Sequence, residues 1–204
     1  MVREDMGSPQ GSRGEKPVEP MAYRVVPHGL RSLMEPAAHH VRRASDLVGY
    51  VDDPEALQRL IDQGNPVIYE TWDADIPESA GHLRFGITVI HPGRIGDEFY
   101  LTKGHFHVRR ETAEVYYGLQ GHGYLVMQKE DGEFRAVPIE PGSVVYVPPG
   151  WAHRSVNTGS VPLVMLFVYP GEAGHDYETI RATGFRQVVV ERDGAPAVVP
   201  ARRS

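Results

Sequence analysis

Hydrophobic and polar positions alternate in short runs over most of the chain, and most runs end at turn-forming residues. Runs of β-branched and aromatic residues are typical of strands, and dipeptides such as Pro141-Gly142 and Thr158-Gly159 are typical of turns. The pattern predicts strands over residues 67–73, 83–91, 97–104, 113–119, 123–128, 134–139, 143–147, 153–157, 162–169 and 186–191. So many short strands favour an all-β barrel or jelly roll, which removes or protects sheet edges.

Two segments depart from this alternation and predict short peripheral helices. The first has Asp52 or Asp53 as its N-cap and Pro54 in its first turn, and it ends at Gly64. Its apolar residues fall on one stripe, so we expect it to pack on the outside of a sheet. The second predicted helix covers residues 177–183.

The first 20 residues are rich in Gly, Pro, Ser and charge and offer almost nothing to bury. We therefore expect residues 1–20 to form a disordered tail. Residues 21–204 are predicted to form a single domain, because a chain of this length is large enough for one substantial core.

Composition narrows the classes of partner and ligand. A formal net charge of −6 provides no basic surface for nucleic acid, and the absence of cysteine excludes disulfides and thiolate ligands. Any metal must then be held by nitrogen and oxygen atoms. The longest strongly apolar stretch, 163–169, is too short to span a bilayer, and the N-terminus lacks an apolar signal segment, so we expect a cytoplasmic protein.

Three histidines and one glutamate form a candidate metal site. On a strand, His105 and His107 would project from the same face, and Glu114 and His153 would arrive from neighbouring strands. This ligand set suits iron, manganese, nickel or zinc. Glu111 stays open as a rival to Glu114, although its surroundings are typical of a turn.

A second motif surrounds His153. Gly142, Pro148, Gly150, His153 and Asn157 form the pattern G-x5-P-x-G-x2-H-x3-N, whose chance expectation from composition is on the order of one in ten thousand. The prolines and glycines end one strand with a rigid bend and start the next with His153 pointing inward. The remaining histidines without a partner pattern, expected at the surface or in loops, are His39, His40, His82, His91 and His122.

Together the two motifs resemble those of the cupin superfamily, whose small β-barrel holds one metal ion with three His and one Glu. Two departures are a longer gap between His107 and Glu114 and Phe99 in place of a usual glycine. The longer gap, with Thr102-Lys103-Gly104 and the segment from Tyr169 to Tyr177, resembles the cupin-type phosphoglucose isomerases of archaea. This similarity extends from about Val41 to about Val199.

The resemblance implies a cupin β-barrel (double-stranded β-helix or jelly roll) with short peripheral helices. It implies interconversion of glucose 6-phosphate and fructose 6-phosphate by a homodimer with one divalent metal ion per chain. Iron is the first expectation, with manganese, nickel or zinc also suited. The implied metal ligands are His105, His107, Glu114 and His153. The implied contacts to the phosphorylated hexose are Tyr69, Thr88, Thr102, Lys103, Gly104, Tyr116, Tyr169 and Tyr177, with His175 at the sugar end.

Aldose-ketose isomerisation needs a base, a stabiliser of the enediolate and a grip on the phosphate. We expect Glu114 to be the base as well as a ligand, with a direct hydride shift as the main alternative. Lys103, Thr102 and the N–H of Gly104 are expected to bind the phosphate. His175 is expected to assist ring opening.

Two other functions use the same ligands: a metal-dependent cupin dioxygenase and a non-enzymatic cupin that binds a sugar. Neither requires Lys103 with Thr102 or the Tyr169-to-Tyr177 segment. These residues therefore favour the isomerase.

Overall fold

The protein is described by a computed structural model that covers residues 18–26, 29–32 and 38–202. Of the predicted disordered tail, residues 18–20 are exposed and have no regular secondary structure, and residues 1–17 lie outside the described residues. The elements in chain order are β1 (Tyr23–Val26), β2 (Gly29–Ser32), β3 (Ala38–Arg43), a 3₁₀ helix (Ala44–Leu47), α1 (Pro54–Asp62), β4 (Val67–Asp73), β5 (Leu83–Ile90), β6 (Arg94–Ile95), β7 (Glu98–Phe99), β8 (Glu114–Gln120), β9 (Gly123–Gln128), β10 (Phe134–Ile139), β11 (Val144–Val147), β12 (Ala152–Asn157), β13 (Leu163–Pro170), α2 (Tyr177–Thr183), β14 (Gln187–Arg192) and β15 (Ala195–Pro200).

The strands form antiparallel sheets that enclose one main core. The largest sheet has the order β11-β8-β13-β5-β4-β3, and smaller sheets have the orders β10-β9-β12 and β15-β14-β7-β6. Met165 and Ile90 of the large sheet share a buried cluster with Leu125 and Ile139 of the β10-β9-β12 sheet. Two sheets therefore face each other across a common core, and the predicted all-β cupin barrel is confirmed.

The pairing of β5 with β13 shows why these sequences form central strands. β13 is an almost continuous run of apolar residues, as expected of a strand with neighbours on both sides. Phe167 lies opposite Gly86, where an added Cβ would lie 2.4 Å from the Phe167 ring and 2.3 Å from the carbonyl oxygen of Trp72. Glycine is therefore required at position 86 by close approach.

Both predicted helices are present: α1 has a predicted N-cap, and α2 has the predicted bounds. Asp53 is the N-cap of α1 and accepts a hydrogen bond of 2.8 Å from the N–H of Ala56, with Pro54 in the first turn. Leu57 is buried in the main core, so the helix covers one side of the barrel. No helix of the described residues is long and apolar enough to cross a membrane.

The predicted strand over residues 97–104 is wrong for most of its length. Only Glu98–Phe99 forms a strand, and Leu101, His105 and Phe106 make isolated bridges. The backbone of Gly104 has φ +76°, a left-handed conformation that interrupts a strand. β3, which the sequence did not predict, is an edge strand of mostly exposed residues and lacks the alternation used for the other predictions.

Candidate metal centre and its cavity

Four side chains from three segments converge inside the barrel. One ligand atom from each of His105, His107, Glu114 and His153 can be chosen so that all four lie within 4.8 Å of one another. Oε2 of Glu114 lies 3.0 Å from Nε2 of His107 and 3.0 Å from Nε2 of His153. The geometry is that of a group able to hold one metal ion.

Backbone pairing delivers three of these side chains. His105 and His153 form an isolated bridge, in which each N–H donates to the other's carbonyl at 3.2 Å and 3.0 Å. Glu114 is the first residue of β8. The expectation that His105 and His107 lie on a regular strand is wrong, since only isolated bridges occur there, yet both side chains still reach the cluster.

Hydrogen bonds behind the cluster orient two of the imidazoles. The hydroxyl of Thr112 donates to the carbonyl of Arg109 at 2.7 Å, so it accepts from Nδ1 of His107 at 2.8 Å. Nδ1 of His153 points at the carbonyl of Trp151, which can only accept, at 3.4 Å. Protons on both Nδ1 atoms leave each Nε2 with a free lone pair towards Glu114, the arrangement of histidines that bind metal.

The remaining ligand candidate also fits a cation. Nε2 of His105 is buried and has no hydrogen-bond partner among the described residues. Burial, followed by the neighbouring charges of His153 and His175, holds the pKa of His105 well below its usual value and keeps the ring neutral. A buried lone pair without a partner beside a carboxylate is satisfied by a bound metal ion.

The carboxylate is held ionised. Burial by itself would raise the pKa of Glu114, but positive charge beside the carboxylate, at His153 first, outweighs burial and lowers that pKa. A metal ion bound at the Nε2 lone pairs would supply positive charge at the same place. Glu111, the rival candidate, lies in the turn before β8 and is 65% exposed, whereas Glu114 is 3% exposed. Glu111 forms an ion pair with Arg109 and is not part of the cluster.

A cavity of about 240 Å³ opens beside the cluster. Its walls are formed by His40, Arg42, Tyr69, Thr71, Asp73, Glu78, Arg84, Thr88, Thr102, Lys103, Gly104, His105, Glu114, Tyr116, Ser155, Phe167, Tyr169, His175 and Tyr177. Every substrate contact expected from the sequence lies in these walls, together with His175, His105 and Glu114. His107 and His153 lie outside the lining.

Several residues of these walls are not predicted from the sequence. Arg42 and His40 come from β3, where Arg42 lies opposite Tyr69 and His40 opposite Thr71. Arg84 comes from β5 and lies opposite Tyr169 of β13. Side chains alternate between the two faces of a sheet along each strand, so the pairing of the strands identifies the face that lines the cavity. The sequence does not reveal this face, because it does not predict β3.

Two cations in the cavity have no acidic partner. Within the described part of the chain, neither Lys103 nor Arg42 forms an ion pair with a carboxylate, although Arg42 lies beside Tyr69 on the neighbouring strand. Burial, and then the charge of Arg42, lowers the pKa of Lys103. An anion between the two cations would relieve this repulsion.

Aromatic rings surround the remaining space. The ring of His175 stacks on Tyr177, with centroids 5.8 Å apart, and its centroid is 4.5 Å from that of His105. Burial is the main cause that lowers the pKa of His175 to about 4, so the ring is neutral at physiological pH. Burial, followed by the charge of Glu114, raises the pKa of Tyr116 and keeps its hydroxyl protonated beside the carboxylate.

The sequence of this chain matches a known family over most of its length. Residues 41–199, which carry the whole cluster and every residue of the cavity walls except His40, match the sequence model described as glucose-6-phosphate isomerase (GPI). The chain belongs to the glucose-6-phosphate isomerase (GPI) family. The predicted resemblance to the cupin-type isomerases of archaea is confirmed by this match and by archaeal relatives that are 46–49% identical to the chain.

Two relatives illustrate the similarity within the GPI family. A glucose-6-phosphate isomerase of Pyrococcus horikoshii is 48% identical over 167 residues, which cover 82% of this chain and 88% of the relative. One of Thermococcus kodakarensis is 49% identical over 159 residues, which cover 78% of this chain and 84% of the relative. Among solved structures, an oxalate oxidase matches with a TM-score of 0.47 and 15% identity over 59% of this chain and 60% of that chain.

Proposed function

We propose that this protein is a metal-dependent aldose-ketose isomerase that interconverts glucose 6-phosphate and fructose 6-phosphate. The observation that carries the proposal is one cavity whose walls include His105 and Glu114 of the His₃Glu cluster together with Lys103 and Arg42, two cations that have no acidic partner among the described residues. A sugar phosphate requires both features, a site for its reacting oxygens and a site for its dianion. Membership of the GPI family supports the same substrate.

The proposed metal ligands are His105, His107, Glu114 and His153. A divalent ion held by them would supply a Lewis acid for the negative charge that develops on the sugar oxygens. Iron is proposed as the physiological ion, since three imidazoles and a carboxylate suit it, and manganese, nickel and zinc suit the same set.

The proposed base is Glu114. Its Oε2 faces both His107 and His153 at 3.0 Å, so we assign proton transfer between C1 and C2 to Oε1. The carboxylate is ionised at neutral pH and therefore ready to accept a proton. Its lowered pKa makes it a weak base, so the acidity of the substrate proton must rise on binding.

Phosphate binding is proposed at the end of the cavity formed by Thr102, Lys103 and Gly104, with Thr88 and Tyr69 on neighbouring strands. Lys103 and Arg42 supply charge, and the hydroxyl and N–H groups supply directed hydrogen bonds. His175, with Tyr116, Tyr169 and Tyr177, is proposed to contact the sugar. As a neutral imidazole, His175 can both donate and accept a proton during ring opening.

The cellular setting is also a proposal. We propose a cytoplasmic enzyme of glycolysis and gluconeogenesis that forms a homodimer. The exposed Val144 and Tyr146 of edge strand β11 provide an apolar surface for the second copy. Leu57 of α1, by contrast, is buried in the core of its own chain. Light scattering after size exclusion measures the oligomeric state, and a monomer would contradict this part of the proposal.

One assay tests the function. The protein is chelated, Fe²⁺, Mn²⁺, Ni²⁺ or Zn²⁺ is restored singly, and formation of glucose 6-phosphate from fructose 6-phosphate is followed. We expect turnover to disappear with the metal and to return with at least one ion. Oxygen uptake is measured in parallel, because consumption of oxygen would indicate a dioxygenase instead. Absence of isomerisation with all four ions would exclude the proposed function.

A further inference from the structure

Arg154 follows the cluster residue His153 in β12, but its side chain points to the opposite face of the strand. It is 4% exposed, and Nη1 lies 3.7 Å from Oε1 of the equally buried Glu98. Its guanidinium lies over the ring of Phe185, 4.2 Å from the centroid. This arginine is thus fixed in the interior behind the cavity wall and does not line the cavity.

The guanidinium holds the backbone of the segment that faces the cavity. Nη2 of Arg154 donates to the carbonyl of Lys103 at 3.0 Å and to the carbonyl of Tyr50 at 3.1 Å. On the other side of the residue, the N–H of Lys103 lies near the hydroxyl of Tyr69 and opposes the rise in the pKa of that hydroxyl. The Lys103 backbone is therefore flanked by the protein on both sides.

The direction of the next N–H follows from this contact. The peptide bonds of the described residues include no cis bond, and in a trans peptide the carbonyl and the following N–H point in opposite directions. Because the Lys103 carbonyl points at Arg154, the N–H of Gly104 points away from it, towards the cavity that Gly104 lines. Among the described residues, nothing accepts a hydrogen bond from this N–H.

Glycine at position 104 is part of the same arrangement. Its φ is +76°, and an added Cβ would lie 3.0 Å from Cβ of Arg154 and 2.8 Å from the ring of Phe185. Only a residue without a side chain allows the backbone to approach the arginine this closely. The backbone of Gly104 therefore packs directly against Arg154.

We propose that Arg154 is a positioning residue for anion binding: it fixes the Lys103–Gly104 peptide so that the Gly104 N–H donates to the phosphate of the substrate. The inference rests on the proposed function, because it assumes that the cavity binds a phosphorylated sugar. Arg154 acts through the peptide and touches neither the substrate nor the metal ion.

The first test follows inorganic phosphate by NMR in the Zn²⁺-loaded protein, labelled with ¹⁵N. In the wild-type protein, we expect phosphate to shift the amide signal of Gly104 strongly. R154K keeps the charge but loses the planar fork that reaches two carbonyls, so we expect a weak Gly104 response and phosphate affinity lowered about tenfold. R94K is the matched control, since Arg94 pairs with Glu191 away from the cavity, and it should behave as the wild type.

The second test is kinetic. In R154K we expect the KM for fructose 6-phosphate to rise about tenfold, with kcat within about threefold of the wild type and zinc content unchanged, because one directed hydrogen bond to a charged group is lost. Unchanged phosphate affinity in a folded R154K, or loss of its zinc, would overturn the inference. A Gly104 amide signal that does not shift when phosphate is added to the wild-type protein would also overturn the inference. This result does not depend on whether a variant folds. Failure of the proposed function is a different outcome, the absence of turnover in the wild type.

Discussion

At the scale of single residues, the cavity divides two tasks between different kinds of side chain. The histidines and Glu114 offer lone pairs to a cation, whereas Lys103 and Arg42 offer positive charge to an anion. Both groups contribute residues to the walls of one cavity, but no residue belongs to both groups. Substitutions should therefore affect metal binding and substrate binding separately.

Lys103 tests the anion-binding part. K103A removes one of the two cations without touching the metal cluster, so we expect KM for fructose 6-phosphate to rise about 10- to 100-fold, the usual loss for a hydrogen bond to a charged group. Steady-state kinetics and metal analysis measure the two effects. K129A is the matched control, because Lys129 pairs with Glu133 outside the cavity. An unchanged KM in K103A would remove Lys103 from the phosphate site.

Glu114 tests the proposed base. In E114Q the amide oxygen can still approach a metal ion but cannot accept the proton, so we expect kcat to fall about 10²- to 10⁴-fold. E111Q, which changes the exposed glutamate of the neighbouring turn, should leave kcat and metal content unchanged. Substrate deuterated at C2 provides a second measurement. Complete transfer of the label to C1 without solvent exchange would favour a hydride shift and contradict the assignment.

The residues of the cavity differ in how readily the sequence reveals them. The turn motif around His153 is a rare combination, so the histidine candidates can be selected from the sequence, whereas Glu111 stays a rival to Glu114 until the structure shows that Glu111 is exposed. Arg42 and Arg84 are ordinary charged residues until the strands are paired, because only the register brings them beside Tyr69 and Tyr169. Nothing in their local sequence distinguishes them from surface arginines.

At the scale of elements, strong local patterns were predictable and long-range pairings were not. β13 has a long apolar run, and α1 has an N-cap and a proline in its first turn. These local features identify β13 as a strand and α1 as a helix. The segment 97–104 has the composition of a strand, but its shape follows from contacts with β12, including the bridge between Leu101 and Val156. The hairpin of β14 with β15 was predicted only in its first strand, since β15 contains two prolines at a sheet edge.

Gly86 tests the packing between β4, β5 and β13. G86A places a methyl group against the carbonyl of Trp72 and the ring of Phe167, so we expect a loss of about 1 to 3 kcal/mol in the free energy of unfolding. Urea denaturation measures this loss. G194A is the matched control: it has φ +82° and no neighbour within 4 Å, so backbone strain alone should cost about 1 kcal/mol. Equal losses in the two variants would show that crowding at position 86 is unimportant.

At the scale of the whole molecule, Glu98 links pH to stability. Burial raises the pKa of Glu98 to about 7, with Arg154 opposing the shift only in part. The folded state therefore binds this proton more tightly than the unfolded chain, whose carboxyl has its ordinary value of 4.5. The stabilisation is fully present below pH 4.5 and is lost as pH rises through about 7.

E98Q removes this dependence. Between pH 4.5 and 7, the free energy of unfolding of the wild type should fall relative to that of E98Q by about 1 to 3 kcal/mol. Urea denaturation over this range measures the difference. D97N, at the exposed neighbouring position, should remain parallel to the wild type. Parallel curves for E98Q as well would contradict the assignment of a raised pKa.

The position of β3 at the edge of the large sheet has a consequence for how the protein fluctuates. Among the described strands, β3 pairs only with β4, and it supplies Arg42 to the cavity. Edge strands open locally at a lower free energy than central strands, so the arginine can leave while the buried cluster stays intact. Substrate that holds Arg42 in place must then slow the hydrogen exchange of the β3 amides. The affinity for the sugar phosphate should therefore depend on how often β3 opens.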